Sequence, residues 1–113
     1  MRRDGAALAV VELNGEHHDF TSPRLGAILE SLIREGRHLV VDLRRTVFVD
    51  DTTVSCLLAA HDRAGAVGRR LAVVVAPSTG WPVRRLLEVR RLERVLPLVA
   101  SLDRALELVR EAA

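Results

Sequence analysis

The sequence has no lysine, one cysteine and no long apolar run, and these shortages limit what the protein can be. With Cys56 as the only cysteine, no internal disulfide can form, which favours a cytoplasmic location. No apolar stretch approaches the roughly 18 residues needed to cross a membrane, so direct membrane insertion is not expected. Asp4 and Glu12 interrupt the apolar start, so a secretory signal is not expected either. The glycine pattern of a phosphate-binding loop is also missing.

The composition is that of a globular domain with balanced charge. Of the 113 residues, 49% are hydrophobic and 28% are charged, which predicts one soluble domain over residues 1–113. The sequence contains 17 arginines and 15 acidic residues, so the net charge is only +2. A nucleic-acid binder that works through bulk charge needs a larger basic excess, so nucleic acid is not an expected partner. The arginines of residues 84–94 are interpreted as a solvated helix face and the loop after it.

Apolar periodicity predicts alternating strands and helices. Residues 7–13, 38–43 and 71–76 are short apolar runs of the kind found in buried strands. Helical spacing of apolar residues follows each of them, and Asn14-Gly15 indicates a hairpin after the first strand. The predicted fold class is therefore α/β, a small mixed sheet with helices packed against it.

Four predictions concern the ends of these elements. Gly36 is expected to end the first helix, and Ser101 is expected to cap the last one. Ser78 or Thr79 is expected to cap the third helix, with Trp81 near its start. Pro97 predicts that the last short strand lies at an edge of the sheet, because proline cannot donate a ladder hydrogen bond.

The stretch VFVDDTTVSCLL, residues 47–58, places two carboxylates and two hydroxyls between an apolar run and a helix predicted over residues 53–64. One Asp or Thr there would be an ordinary helix cap, worth about 1 kcal/mol. Four polar residues exceed what a cap needs. The open alternatives are an acid cluster for catalysis, a metal or phosphate site, and a hydroxyl that a kinase modifies.

Enzyme and metal interpretations find little support in the sequence. Paired carboxylates can perform acid–base chemistry, but no obvious third catalytic group accompanies them. His17 and His18 are neighbours, so on a strand they point to opposite faces and cannot share a metal. Receiver domains pair an acyl phosphate with a lysine, and arginine is not an equivalent point charge. We therefore expect no catalytic residue, no metal site and no cofactor.

From about residue 10 onward the chain resembles STAS domains of the anti-sigma factor antagonist type. The most specific part is the DL pair at residues 42–43, followed by a short turn, apolar residues and an acidic–hydroxyl motif that opens a helix. Family members usually have Asp-Ser-Ser/Thr-Gly at that motif. The segment GEHHDFTSPRL, residues 15–25, is similar to the family signature Gly-Glu-x-Asp-x-x-Thr-x-x-x-Leu.

The resemblance implies a regulatory protein without catalysis of its own. Such antagonists bind an ATP-binding anti-sigma factor kinase, which phosphorylates the second hydroxyl of the motif and ends binding, and a phosphatase restores the protein. Carried over to this chain, Thr52 is the expected phosphoacceptor and Thr53 the second choice. The resemblance leaves a homodimer open. The expected partner-binding residues are Asp50, Asp51, Thr53, Glu16, His18, Asp19 and Thr21.

The chain departs from the family pattern at three positions. Asp51 replaces the first serine, Thr53 replaces the glycine that lets a partner approach closely, and His18 replaces an aspartate, with Asp19 displaced by one. Asp51 adds a negative charge that could make the unmodified protein resemble the phosphorylated one. A second hypothesis is therefore an unswitched STAS interaction module, as a scaffold or a transporter-associated subunit. A third is direct binding of a nucleotide or metal ion by the acid–hydroxyl cluster and nearby arginines.

Overall fold

The computed structural model describes residues 2–3, 7–17 and 22–110. The strands are β1 (Arg2–Arg3), β2 (Leu8–Glu12), β3 (Gly15–His17), β4 (His38–Asp42), β5 (Thr46–Val49), β6 (Leu71–Val74) and β7 (Leu98–Val99). The helices are α1 (Ser22–Arg34), α2 (Asp51–Ala66), α3 (Trp81–Val89) and α4 (Leu102–Arg110), with a 3-10 turn over Leu92–Arg94. None of these helices has both the length and the apolar character that a membrane span requires.

The main sheet has five strands in the order β1-β2-β4-β6-β7. Strand β1 is antiparallel to β2, and the other neighbours are parallel, so the predicted small mixed sheet is confirmed. Every residue of β4 and β6 is buried, as their continuous apolar runs predicted. Strand β7 lies at the edge directly after Pro97, which confirms the prediction made from that proline.

Helices cover both faces of this sheet. Alternate strand residues, among them Val11, Val41 and Val73, form one core with the apolar faces of α1, α2 and α3. The opposite set, including Val10, Val40 and Val74, packs against Ala105 and Val109 of α4. The molecule therefore has three layers, with three helices on one face and one on the other.

The predicted hairpin at Asn14-Gly15 is wrong. The backbone does turn there, with Gly15 at a φ of +74°, but β3 runs on to pair with β5 in a separate two-stranded parallel sheet. The reason is that β2 already has β1 on one edge and β4 on the other, which leaves no edge for β3. The small sheet formed by β3 and β5 is what delivers the chain to the start of α2.

The helix ends agree with two predictions and correct one. Gly36 has a φ of +81° just after α1, and Ser101 Oγ accepts a hydrogen bond from the Arg104 N–H at 3.1 Å before α4. Helix α3 is not capped by Ser78 or Thr79, since its N-cap is Gly80. Thr79 is buried instead, and its hydroxyl donates to the Leu43 carbonyl at 2.9 Å.

Candidate functional site

The acidic–hydroxyl motif lies where β5 ends and α2 begins. Helix α2 starts at Asp51, two residues before the predicted start, because Asp50 caps it. The Asp50 backbone is extended (φ −108°, ψ −178°), and its carboxylate accepts a hydrogen bond from the Thr53 N–H at 3.1 Å. Asp50 alone of the four polar residues is therefore the N-cap of α2.

Asp50 also holds both threonine hydroxyls. Its Oδ1 accepts from Thr52 Oγ1 at 2.6 Å and from Thr53 Oγ1 at 3.2 Å, besides the Thr53 N–H. A single carboxylate oxygen therefore orders the first turn of the helix and orients the Thr52 hydroxyl. Asp50 itself is half-buried between the strand and the helix.

The two threonines differ completely in exposure. Thr52 is exposed, whereas Thr53 is buried with 0% of its surface accessible. The structure therefore corrects the prediction for Thr53: its side chain does not lie on a docking surface, and a kinase cannot reach its hydroxyl in this fold. Because the side chain points inward, the threonine also leaves the outer surface at this position clear, as the usual glycine would.

Asp51 is exposed and forms an ion pair with Arg90, which follows the end of α3. The pair connects the start of α2 to the end of α3 across the surface. An exposed pair of this kind stabilises by at most about 1 kcal/mol, but it offsets the extra negative charge of Asp51. The site is thus less acidic than its sequence suggests.

Beside the motif is an open cavity of about 460 Å³, here called the β5–α3 groove. Its lining comprises Phe48, Val49, Asp50, Asp51, Trp81, Pro82, Arg85, Leu86 and Val89. Trp81 was predicted near the start of α3 and is its first residue; it is 64% exposed, and Phe48 is 39% exposed. Analysis of the sequence missed this groove. Strand alternation would bury one of the consecutive apolar residues Val47 and Phe48, whereas the structure exposes both.

Glu16 is the one predicted partner-binding residue of the Glu16–Thr21 loop whose side chain the structure describes. It is exposed on β3, and its Cα pairs in register with Phe48 on β5. The sheet therefore brings Glu16 to the strand that leads into the motif. His18, Asp19 and Thr21, the other predicted partner-binding residues of this loop, lie outside the described residues.

Other candidate groups are placed for structural roles. Burial, reinforced by the Asp50 charge, raises the pKa of the Cys56 thiol, which packs against the core. No three His, Cys, Asp or Glu side chains within the described part of the chain could hold a metal ion together.

A polar cavity of about 340 Å³ at the carboxyl edge of the sheet is lined in part by Arg44. The Arg44 guanidinium is already engaged with both Asp42 oxygens.

A family model described as "Mlab, STAS domain" matches residues 2–100, so the chain belongs to the STAS domain family. No curated protein matches its sequence significantly.

Solved structures share the fold. Unphosphorylated SpoIIAA, an anti-sigma factor antagonist, is 20% identical with a TM-score of 0.75, over 96% of this chain and 94% of that one. Phosphorylated SpoIIAA from Bacillus is 20% identical with a TM-score of 0.67, and the match covers 93% of each chain. A Thermotoga maritima protein described as a candidate anti-sigma factor antagonist is 14% identical with a TM-score of 0.81, over 96% of this chain and 92% of that one. A sulfate transporter family protein from Wolinella succinogenes is 16% identical with a TM-score of 0.68, over 93% of this chain and 86% of that one.

Proposed function

We propose that this STAS domain protein is a phosphorylation-controlled binding module, an antagonist of an anti-sigma factor kinase. The observation that carries the proposal is the contrast within the motif: Thr52 presents an exposed hydroxyl beside an apolar groove, while Thr53 is buried. In the unmodified state the partner docks around Asp50, Asp51 and Thr52, with Glu16 at the margin. The likeness to SpoIIAA, whose structure is known in both forms, supports this assignment.

Modification changes the charge at a point that the helix keeps fixed. The kinase transfers the γ-phosphoryl group of ATP to Thr52 Oγ1, the hydroxyl releases its proton, and ADP leaves. The phosphate adds about −1.5 to −2 charges. At an effective dielectric constant of about 20, two unit charges 4 Å apart interact by about 4 kcal/mol, so an acidic partner surface would be expelled. The positive end of the α2 dipole tolerates the phosphate within the protein itself.

Phosphorylation also removes a contact that orders the motif. The hydroxyl that donates to Asp50 Oδ1 at 2.6 Å loses its hydrogen, and the phosphate and the carboxylate repel one another. The Thr53 N–H and hydroxyl still hold Asp50, so the helix cap survives. We therefore expect a change of local charge and side-chain position without unfolding of α2.

Incubation with ATP, Mg²⁺ and each anti-sigma factor kinase of the same genome tests the proposal, with the modified residue located by mass spectrometry. We expect phosphate on Thr52, none on Thr52→Val, and normal modification of Thr53→Val. Binding to the same kinase should weaken at least about tenfold in the phosphoprotein. The proposal is contradicted if no candidate kinase modifies either threonine. It is also contradicted if Thr53 is modified in place of Thr52.

The likeness to the sulfate transporter family protein favours a second candidate function, a constitutive STAS subunit attached to a membrane transporter. The two candidates differ in the partner and in the effect of Thr52. A pull-down that recovers transporter subunits, equally well with Thr52→Ala and the unaltered protein, would support the second. Recovery of an ATP-binding kinase that releases the phosphoprotein would support the first.

A further inference from the structure

The Thr52 hydroxyl has a fixed direction because a carboxylate holds its hydrogen. An ionised aspartate is only an acceptor, so the hydroxyl donates to Asp50 Oδ1, over an oxygen–oxygen distance of 2.6 Å. The lone pairs of Thr52 Oγ1 then point away from Asp50. Since Thr52 is exposed, an incoming phosphoryl group can approach those lone pairs from solvent. The oxygen that would form the new bond to phosphorus is thus already oriented in the unmodified protein.

Thr53 and the backbone keep the accepting oxygen in place. Asp50 Oδ1 also accepts from the Thr53 N–H at 3.1 Å and from the Thr53 hydroxyl at 3.2 Å. Thr53 is completely buried, and the Asp50 N–H donates to the His17 carbonyl at 3.2 Å. A glycine at position 53 would supply only the N–H. The carboxylate is therefore anchored to the core and to β3 independently of Thr52.

The second carboxylate of the motif does not share this contact. Asp51 binds Arg90, and among the residues that the structure describes only Asp50 contacts the Thr52 hydroxyl. A general base has to lie about 2.6–3.2 Å from the atom whose proton it removes. Asp50 satisfies that condition before any partner is bound, and Asp51 does not.

We propose that Asp50 is the general base for the phosphorylation of Thr52, so that this chain supplies one catalytic group to the kinase reaction. A lone pair of Thr52 Oγ1 forms the bond to the γ-phosphorus of ATP. The bond from that phosphorus to the bridging oxygen breaks, and its electron pair leaves with ADP. The hydroxyl proton passes to Asp50 Oδ1 and then to solvent. The inference deepens the proposed function and rests on it.

The expected contribution of Asp50 is moderate. General acid–base catalysis typically contributes about 100- to 10,000-fold to a rate. In phosphoryl transfer the transition state is loose, so the bond to the attacking oxygen is only partly formed and the hydroxyl is only partly acidified. Orientation of the lone pair then provides much of the effect. We expect Asp50 to accelerate the transfer by about 10- to 100-fold.

Asp50→Asn tests the inference, because asparagine is an equally good N-cap and keeps an acceptor oxygen but does not take the proton. Single-turnover phosphorylation by the kinase that modifies the unaltered protein is measured with excess kinase, Mg²⁺ and ATP. The rate constant at saturating kinase should fall about 10- to 100-fold, and the kinase concentration for half-maximal rate should change by less than about threefold. Asp50→Ser, which caps the helix without a carboxylate, should lose as much.

Asp51→Asn is the matched control, since it removes the same charge from the neighbouring residue that does not contact the hydroxyl. It should retain the rate constant of the unaltered protein within about threefold. Circular dichroism and urea denaturation establish that all three variants are folded at the assay temperature. A loss confined to the two Asp50 variants supports the inference.

The other outcomes separate the inference from the proposed function. If Asp50→Asn is phosphorylated as fast as the unaltered protein, the kinase supplies the base itself and the inference is overturned, while the proposed function stands. Equal slowing in Asp51→Asn would assign the effect to lost charge and would overturn it too. If the unaltered protein is not phosphorylated at all, the proposed function itself fails.

Discussion

Adjacent residues of one motif have opposite environments because a helix turns by about 100° at each residue. Thr52 faces solvent, whereas Thr53 points into the core between the strand and the helix. Both hydroxyls bind the same Asp50 oxygen, so hydrogen bonding alone does not distinguish them. Burial does distinguish them, because Thr52 is accessible from solvent whereas Thr53 is enclosed by the fold.

Alanine at the two positions should therefore affect stability differently. Thr53→Ala removes a buried methyl group and a hydrogen bond, so we expect the free energy of unfolding to fall by about 1–2 kcal/mol. Thr52→Ala removes an exposed group and should change it by less than about 0.5 kcal/mol. Urea denaturation followed by circular dichroism measures both. Equal losses would mean that Thr53 is not buried as described.

His38 gives the protein a pH-dependent stability. It is buried at the start of β4, and its Nδ1 accepts a hydrogen bond from the Arg70 N–H at 3.0 Å. Burial, with the charges of Arg69 and Arg70, lowers the pKa of His38 below the ordinary 6.5. The unfolded chain therefore takes up a proton at a higher pH than the folded one. Stability is retained above pH 6.5 and declines as the pH falls through that value.

We expect the free energy of unfolding to decrease between pH 7.5 and pH 5, with a His38 contribution of at most about 1.4 kcal/mol per pH unit. His38→Asn keeps an acceptor near Nδ1 but cannot titrate, so its profile should be flatter in this window. Ser55→Ala, at an exposed position of α2 that does not titrate, is the control and should keep the slope of the unaltered protein. Urea titrations at several pH values measure the difference, and identical profiles for all three proteins would rule out the role of His38.

At the scale of elements, the groove depends on close contact between β5 and the start of α3. A Cβ on Gly80 would lie 2.5 Å from the Val47 carbonyl oxygen and 2.9 Å from the Val47 Cα. Backbone atoms cannot move aside as a flexible side chain can. Glycine at position 80 is therefore what lets Trp81 and Phe48 line the same cavity.

Gly80→Ala should push α3 away from β5. We expect a loss of about 1–3 kcal/mol in the free energy of unfolding, with a changed Trp81 emission in the folded protein. Gly65→Ala is the matched control: its Cβ meets no atom within 4 Å inside α2, so it should be neutral or stabilise by up to about 1 kcal/mol. Thermal unfolding of the two variants, with Trp81 fluorescence, checks both effects. A Gly80→Ala protein as stable as the control would show that the contact is not tight.

At the scale of the whole molecule, α4 completes the second core. The family match ends at residue 100, yet α4 (102–110) is the helix that covers the face formed by Val10, Val40 and Val74. The β5–α3 groove belongs to the opposite layer, with α2 and α3. The packing of α4 and the shape of the groove should therefore be separable by mutation.

Val109→Ala tests this separation. Val109 is 1% exposed against the sheet, so the truncation should cost about 2 kcal/mol of unfolding free energy. The Trp81 emission of the folded protein should not change, because no residue of α4 lines the groove. Denaturation curves and the Trp81 emission spectrum are measured on the same protein. A shifted Trp81 emission in the folded variant would show that the two faces are coupled.

The sequence by itself determined what local patterns encode. Apolar periodicity predicted the central strands β2, β4 and β6 and the helices between them. Gly36, Pro97 and Ser101 marked ends and edges because their backbone or side-chain chemistry acts within a few residues. The motif was identified as a helix start with excess polar groups, and the resemblance predicted the STAS fold.

Tertiary structure decided everything that depends on neighbours distant in the chain. Whether Asn14-Gly15 makes a hairpin depended on β1 and β4 occupying both edges of β2, and the burial of Thr53 depended on what packs against α2. The groove joins β5 to α3, more than 30 residues apart, and the Asp51–Arg90 pair spans 39 positions. Local propensity cannot encode such contacts, because they form only when the packed sheet and helices bring the segments together.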